Sequence, residues 1–402
     1  MFTTGYRLRV ICGAAALLTT LSLAGWGGPS AAQARHGATA PSLRASLRAA
    51  LNQYLITRGT AEHISGVALR VTFRGRRPSI NVPAGTTRYG GGSPMSSNML
   101  WQIGSNTKAF TAVLLLQLEA EHKLSIHDTL GKWLSRYRAW RHITIEQLLN
   151  MTSGIQDYED IPTFWGDYAD APNTVFSLSR LVSYVRGLPL LKGWNYSNTN
   201  YILAQMILEK ATHDTYAHQL RRRIAVPLGL HNLFFNPTAL PAAVIAREPA
   251  GYYFDSTIPQ LAPLLGKDVR RLNLSWAPAN GAIIASLQDL TKWDRALYQG
   301  RELPRRQQRE LESLVSQKTG RAIKRTTVAD PRGFGLGVAE TTTSVGRIWA
   351  YQGENLGYRV QFVYLPRSGT IIALGVNSTP SSDKLGGLGL SVIQILRKAG
   401  LG

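Results

Sequence analysis

The segment Trp101-Gln102-Ile103-Gly104-Ser105-Asn106-Thr107-Lys108, running into Ala109-Phe110-Thr111-Ala112-Val113-Leu114-Leu115-Leu116, constrains the fold more than any other part of the chain. An apolar, strand-like run ends at a glycine and gives way to a long run of good helix formers. A serine sits at the junction, and a lysine follows three positions later. Residues three apart share a helix face, so the lysine ammonium can reach the serine hydroxyl. The helix N-terminus adds partial positive charge and free N–H groups beside that hydroxyl. The arrangement suits a serine nucleophile whose lysine is desolvated enough to act as a base.

Ser-x-x-Lys occurs a second time, as Ser381-Ser382-Asp383-Lys384. Taken alone, either copy reads equally well as a capping serine with a surface lysine. Context separates them. Ser381 follows Pro380, and glycines at 386, 387 and 389 interrupt what comes next, whereas Ser105 opens a helix.

The chain of 402 residues, 44% hydrophobic and 17% charged, is long and apolar enough for one large globular domain or two intimately joined ones. Its N-terminus reads as a separate object. Arg7 and Arg9 precede an apolar stretch over 10–24, and Ala32-Gln33-Ala34 forms a small-x-small cleavage site. Residues 1–34 therefore read as a secretory signal peptide. An uncleaved anchor is the other reading, but the run is short for a span, and no other stretch reaches that length. The only cysteine, Cys12, lies inside the apolar part, so the mature chain is expected to lack thiols, disulfides and cysteine metal sites. A periplasmic or secreted bacterial enzyme with no stable membrane span after cleavage is the expectation.

The net charge is +21, and removing 1–34 takes away two arginines and no acid, leaving +19. Such a charge favours anionic surfaces, and for an exported protein anionic cell-envelope polymers fit better than nucleic acid. An ordinary solvated basic surface accounts for it equally. The eight histidines are scattered without metal-ligand spacing, and Gly90-Gly91-Gly92 lacks the Lys-Ser/Thr of a phosphate loop. No metal and no cofactor is expected.

Periodicity organises the rest. Leu43, Leu47, Leu51 and Leu55 predict a helix over 40–58, and 66–73 alternates like a strand that returns over 79–82. The middle, about 124–272, is rich in helices and loops. It includes a capped helix over 143–149 and another over 198–211. Proline, tyrosine and aspartate crowd 155–173, as in a loop lining a cleft. Short strands follow at 347–351, 359–365 and 370–376, and a closing helix at 390–398. The predicted class is α+β: an antiparallel sheet flanked by helices, with a mostly helical insert at about 124–272.

Tyr196-Ser197-Asn198 stands about ninety residues after the first motif and opens the 198–211 helix from a loop. A tyrosine held near a lysine can relay protons, and an asparagine amide can bond an acyl amide. A turn tyrosine with a capping asparagine is the plainer alternative. In this order and spacing the two motifs resemble the serine β-lactamase-like family, in the branch of class C β-lactamases, D-alanyl-D-alanine carboxypeptidases and related esterases and amidases. Leu148-Leu149-Asn150-Met151-Thr152-Ser153-Gly154 is similar to the family's Leu-Leu-x-His-Thr-Ser-Gly, with Met151 for the histidine. Pro227-Leu228-Gly229-Leu230, the run from Asn280 to Leu290, and Gly335-Leu336-Gly337 also resemble family segments. The likeness covers about 42–398 and implies a catalytic domain over 35–402.

The third motif departs from the pattern, which has Lys-Thr-Gly or His-x-Gly on a strand. The literal Lys318-Thr319-Gly320 comes too early, and Tyr351-Gln352-Gly353-Glu354 has the right place. The resemblance then implies Ser105, Lys108 and Tyr196 as catalytic residues and Asn198, Tyr351, Gln352 and Gly353 as substrate-binding. It implies an oxyanion hole from the backbone N–H groups of Ser105 and Glu354. Tyr351 offers a hydrogen bond where the family has a cation. The expected function is an exported serine acyl-hydrolase working through an acyl-enzyme on a small-molecule or peptide substrate: a β-lactam, a D-Ala-D-Ala-type peptide or a small ester. Two other readings remain: a penicillin- or muropeptide-binding sensor that acylates without turnover, and an envelope-polyanion-binding protein with a relict site.

Overall fold

The computed structural model describes residues 42–402; the segment read as a signal peptide and Cys12 lie outside the described residues. A nine-stranded sheet organises the chain. Its order from edge to edge is Ile80–Gly85, Gly66–Thr72, Thr370–Val376, Tyr358–Leu365, Gly346–Asn355, Ala339–Thr343, Arg332–Phe334, Leu314–Ser316 and Ala322–Ile323. Every neighbouring pair is antiparallel. The first hairpin thus pairs with strands from the far end of the sequence, and 86–313 lies between these two contributions to the sheet. The expected α+β architecture is the one observed.

Strand alternation divides the core. Val67, Leu69, Val71, Ile372, Leu374, Val376, Val363 and Leu365 face one way and pack with Leu47 and Leu51 of the Leu43–Arg58 helix and Leu388, Val392, Ile393 and Leu396 of the closing helix. Each such side chain, fully buried, contributes roughly 1.5–3 kcal/mol relative to exposure. Ser42 caps the first helix by accepting from Ala45 N.

The closing helix corrects the sequence reading. It spans Leu385–Lys398 and so runs through the glycines at 386, 387 and 389 expected to interrupt it. The reason is close packing: a Cβ at Gly389 would lie 2.5 Å from Gln361 Oε1 on the sheet. Glycine lowers helix propensity by about 1 kcal/mol but lets the helix seat there.

The opposite face carries Ala68, Ile371, Ala373, Val360, Phe362 and Tyr364, which join the larger core with Trp101 and the Thr107–Ala120 helix. All but two of that helix's fourteen residues are buried. A helix apolar all round belongs in the middle of a core, and this one holds the first motif there. Gly375 lets the sheet meet it: a Cβ would lie 2.7–3.0 Å from Trp101 ring carbons. Trp101 is itself fully enclosed and cannot retreat. Gly375→Ala is expected to lower stability by about 1–3 kcal/mol, the range for overpacking. A urea denaturation midpoint unchanged from the parent would show that this contact yields freely.

Candidate active site

The first motif is shaped by backbone before side chains enter. Leu100–Gln102 is a strand, Gly104–Asn106 a tight 3₁₀ turn, and Thr107–Ala120 the buried helix. Gly104 has φ +52°, and a Cβ there would sit 2.3 Å from Glu354 N. Gly353 approaches from the other side: its Cβ would lie 1.9 Å from Ile103 O and 2.7 Å from Ser105 N. Only glycine allows the turn and the strand Gly346–Asn355 to touch so closely. Asn106 Nδ2 fixes the turn by donating to Ile103 O at 2.8 Å and to Val360 O at 2.9 Å on the adjoining strand.

This turn brings Ser105 Oγ to two proton-transfer groups. Lys108 Nζ lies 2.9 Å away and Tyr196 OH 2.6 Å. Lys108 also donates to Asn198 Oδ1 at 2.7 Å and to Asn280 O at 3.0 Å. It is wholly buried, and that desolvation brings its pKa down to about 7 against the opposing pull of Glu159 and Asp157. As a neutral amine, Nζ has two N–H bonds and one lone pair. The two carbonyl-type acceptors take the hydrogens, which leaves the lone pair for the serine proton.

The orientation of Asn198 decides this. Its Nδ2 donates to Asp157 Oδ2 at 3.0 Å, so its oxygen must face the lysine. Burial raises the Asp157 carboxyl to about 6 and Glu159 well above the usual range, the latter with Asp157 adding to it. Asn280 is itself held, its Nδ2 donating to Tyr158 OH at 3.1 Å. Asn198, expected to hold substrate, is 3% exposed and engages Lys108 and Asp157 at its two ends.

Tyr196 stays a phenol. Burial pushes its pKa well above the usual tyrosine value, and Tyr351 reinforces this. Its loop is supported by Met151, which stands where the resembled pattern has histidine. Met151 has φ +67°; its carbonyl accepts from Asn195 N at 3.0 Å and its sulfur from Ser197 N at 3.4 Å. Trp194 and Phe334 wall this side: Trp194 meets Tyr196 at 6.5 Å and Phe334 at 5.7 Å, and Phe334 meets Tyr351 at 5.9 Å between ring centroids.

Along the strand Gly346–Asn355, pairing with Ala339–Thr343 ends at Trp349, and the next length flanks the serine turn. Tyr351 reaches inward, its OH 3.4 Å from Tyr196 OH. Gln352, one residue on, faces the other side of the sheet, as the period of two requires. Its Nε2 donates to Asp383 Oδ2 at 2.5 Å, so its side chain does not join the site. Ser381 is likewise remote, bonded to Ser256. Lys318 is exposed on a turn whose Gly320 packs against Gly193 and Trp194, outside the serine cluster.

Sequence reasoning missed Asp157, Glu159 and the Asn280 carbonyl. A signal existed: with 24 Asp and Glu in the whole chain, Asp157, Glu159 and Asp160 are a local excess of acid. Among the described residues no group of three or more His, Cys, Asp or Glu is arranged to hold a metal ion.

Comparison with known proteins places the whole chain. Penicillin-binding protein 4* of Bacillus subtilis is 27% identical over 288 residues, covering 70% of this chain and 61% of the relative. The chain thus spans about three fifths of that relative's length. Teichoic acid D-alanine hydrolase of Staphylococcus aureus is 28% identical over 162 residues, 40% of this chain and 38% of the relative. Among solved structures, the D-stereospecific amidohydrolase from Streptomyces sp. superposes with a TM-score of 0.72 at 28% identity, covering 89% of this chain and 99% of that one. The family described as Beta-lactamase matches residues 51–390, most of the chain, and the protein belongs to that family.

Proposed function

We propose that the protein is an exported serine acyl-hydrolase that cleaves D-aminoacyl amides and small esters through an acyl-enzyme. The observation that carries this reading is the contact of one hydroxyl, Ser105 Oγ, with both Lys108 Nζ and Tyr196 OH. Neutral Lys108 takes the Ser105 proton as Oγ bonds to the substrate carbonyl carbon. The backbone N–H groups of Ser105 and Glu354 receive the oxyanion, at the point where Gly104 and Gly353 bring strand and turn together. Collapse breaks the carbonyl bond to the amine or alcohol, which leaves with a proton passed through Tyr196 from the Lys108 ammonium. Water then attacks the acyl ester, giving its proton to the same pair, and Ser105 is released as the hydroxyl.

The D-aminoacyl preference draws support from the amidohydrolase that matches over nearly its whole length. The name of the Staphylococcus aureus relative supports the ester side of the reading. Export draws on the sequence of 1–34 alone. A fluorophosphonate probe with mass spectrometry tests the nucleophile: Ser105→Ala is expected to abolish labelling and Ser381→Ala to leave it intact. Labelling that persists without Ser105 overturns the reading. Turnover of D-alanyl p-nitroanilide distinguishes hydrolysis from acylation that stops at a stable adduct.

The base makes a pH prediction. Lys108 must be neutral to accept the proton, so kcat/KM is expected to rise with pH through about 7 and then level. Tyr196, whose pKa is raised, adds no fall until well above pH 10. Lys108→Ala and Tyr196→Phe are each expected to lower kcat by about 10²-fold or more. A flat profile from pH 5 to 9 in the parent would remove Lys108 from the role of base.

Tyr351 supplies no positive charge beside the reacting carbonyl. Substrates with a carboxylate there lack a charge-assisted hydrogen bond of about 1.5–3 kcal/mol. A neutral ester is therefore expected to compete well with a cephalosporin, and Tyr351→His to shift kcat/KM toward the cephalosporin by about tenfold or more. No change in that ratio would mean that the carboxylate is held elsewhere.

A further inference from the structure

We propose that the loop 186–193 docks this protein on an anionic lipid bilayer, with three leucines entering the interface beside the catalytic cleft. The loop reads Arg186-Gly187-Leu188-Pro189-Leu190-Leu191-Lys192-Gly193, and every residue of it is exposed. Leu188, Leu190 and Leu191 are 37%, 46% and 44% exposed. Single exposed apolar residues are ordinary, but three large ones within four positions form a patch that water disfavours.

The patch is held, not incidental to a slack loop. Leu188 N donates to Val185 O at 3.1 Å, Leu191 N to Gly154 O at 2.8 Å, and Gln156 Nε2 to Pro189 O at 2.9 Å. Gly154, at φ +75°, sits so close that a Cβ would come within 2.4 Å of Leu191 O. The backbone that would let these side chains fold back into the core is therefore tied down.

Cations flank the loop. Arg186 and Lys192 bracket them in sequence. The Lys318-bearing turn, with Arg321 after it, packs on the loop's end, where a Cβ at Gly320 would lie 2.8 Å from Gly193 C. Arg136 lies 5.0 Å from the centroid of the Tyr137 ring, and the charge of Arg186 acts on the same tyrosine, both cations opposing the burial that raises its pKa. All five cations are exposed, and none pairs with a carboxylate among the described residues.

A polyanion in solution would engage the cations and leave the leucines in water. A bilayer with anionic headgroups satisfies both: arginine and lysine meet phosphates while the leucines reach the acyl boundary. The association proposed is peripheral, through side chains of this loop; no helix among the described residues is long and apolar enough to cross a membrane. Residues 194–196 follow the loop directly and carry Trp194 and Tyr196 into the site. A docked loop would turn the cleft toward acyl groups carried at the lipid surface.

Sedimentation of the full chain with vesicles tests this at physiological salt, comparing phosphatidylcholine alone with phosphatidylcholine containing phosphatidylglycerol. Binding is expected to the phosphatidylglycerol vesicles. The triple variant L188S/L190S/L191S and the charge variant R186E/K192E are each expected to bind at least about tenfold more weakly. Both are expected to hydrolyse soluble p-nitrophenyl acetate within about twofold of the parent, which also verifies folding. Three results overturn the proposal: no binding to anionic vesicles; undiminished binding by the leucine variant, which would leave charge attraction alone; or undiminished binding by the charge variant, which would leave the cations without a role.

Discussion

The rest of the structure depends on the environment of one amine. Lys108 Nζ is buried among three oxygen atoms: Ser105 Oγ, Asn198 Oδ1 and the Asn280 carbonyl. Placing a lysine there is costly unless its charge is lost or neutralised. Asp157 and Glu159 lie close enough to oppose the loss, but burial has raised their own pKa values. Desolvation therefore dominates for both signs of charge, and the cluster balances near neutrality. Removing the acids would favour the neutral amine further but would also free Asn198 to flip. A flipped Asn198 would present N–H groups to Nζ and spoil the arrangement that leaves the lone pair for Ser105.

That amine is useful only because the backbone around it is compressed. Gly104 and Gly353 let the serine turn and the central strand approach to distances that no side chain allows. The buried Thr107–Ala120 helix fixes Lys108, while the strand fixes what faces Ser105. Two elements far apart in sequence thus meet through glycines, and Asn106 stitches them by bonding Ile103 O and Val360 O.

Much of this was legible in the chain. The apolar helix after Ser105, the Tyr196–Asn198 pair at the start of the Asn198–Thr212 helix and the alternating strands near the C-terminus all follow from local pattern. What local pattern does not carry is which partner a side chain finds. Asn198 reads as a group free to meet substrate, yet a lysine ninety positions earlier and an aspartate forty-one positions earlier occupy it. Gln352 reads as a cleft residue by its place in a motif, yet the pleat turns it away. The glycines at 386, 387 and 389 read as a helix stop, because nothing local reveals that Gln361 lies against the helix at Gly389.

The same pleat explains why the strand can vary at Tyr351 without losing its place. Its outward residue Gln352 donates to Asp383, and Asp383 pairs with the fully buried Arg359. Arg359 also binds Glu62 at 2.8 Å and donates through Nε to Ser378 O at 2.7 Å, and Tyr54 OH donates to Glu62 at 2.9 Å. A buried ion network of this kind adds little net stability, since desolvation offsets attraction, but breaking one member leaves an uncompensated charge. It therefore holds register more than it adds energy. With the outward face pinned to the first and last helices, the inward face is at liberty to carry Tyr351 in place of a cation. Chemistry at Ser105 and recognition beside it are then set by different sides of one strand, so one can change while the other is kept.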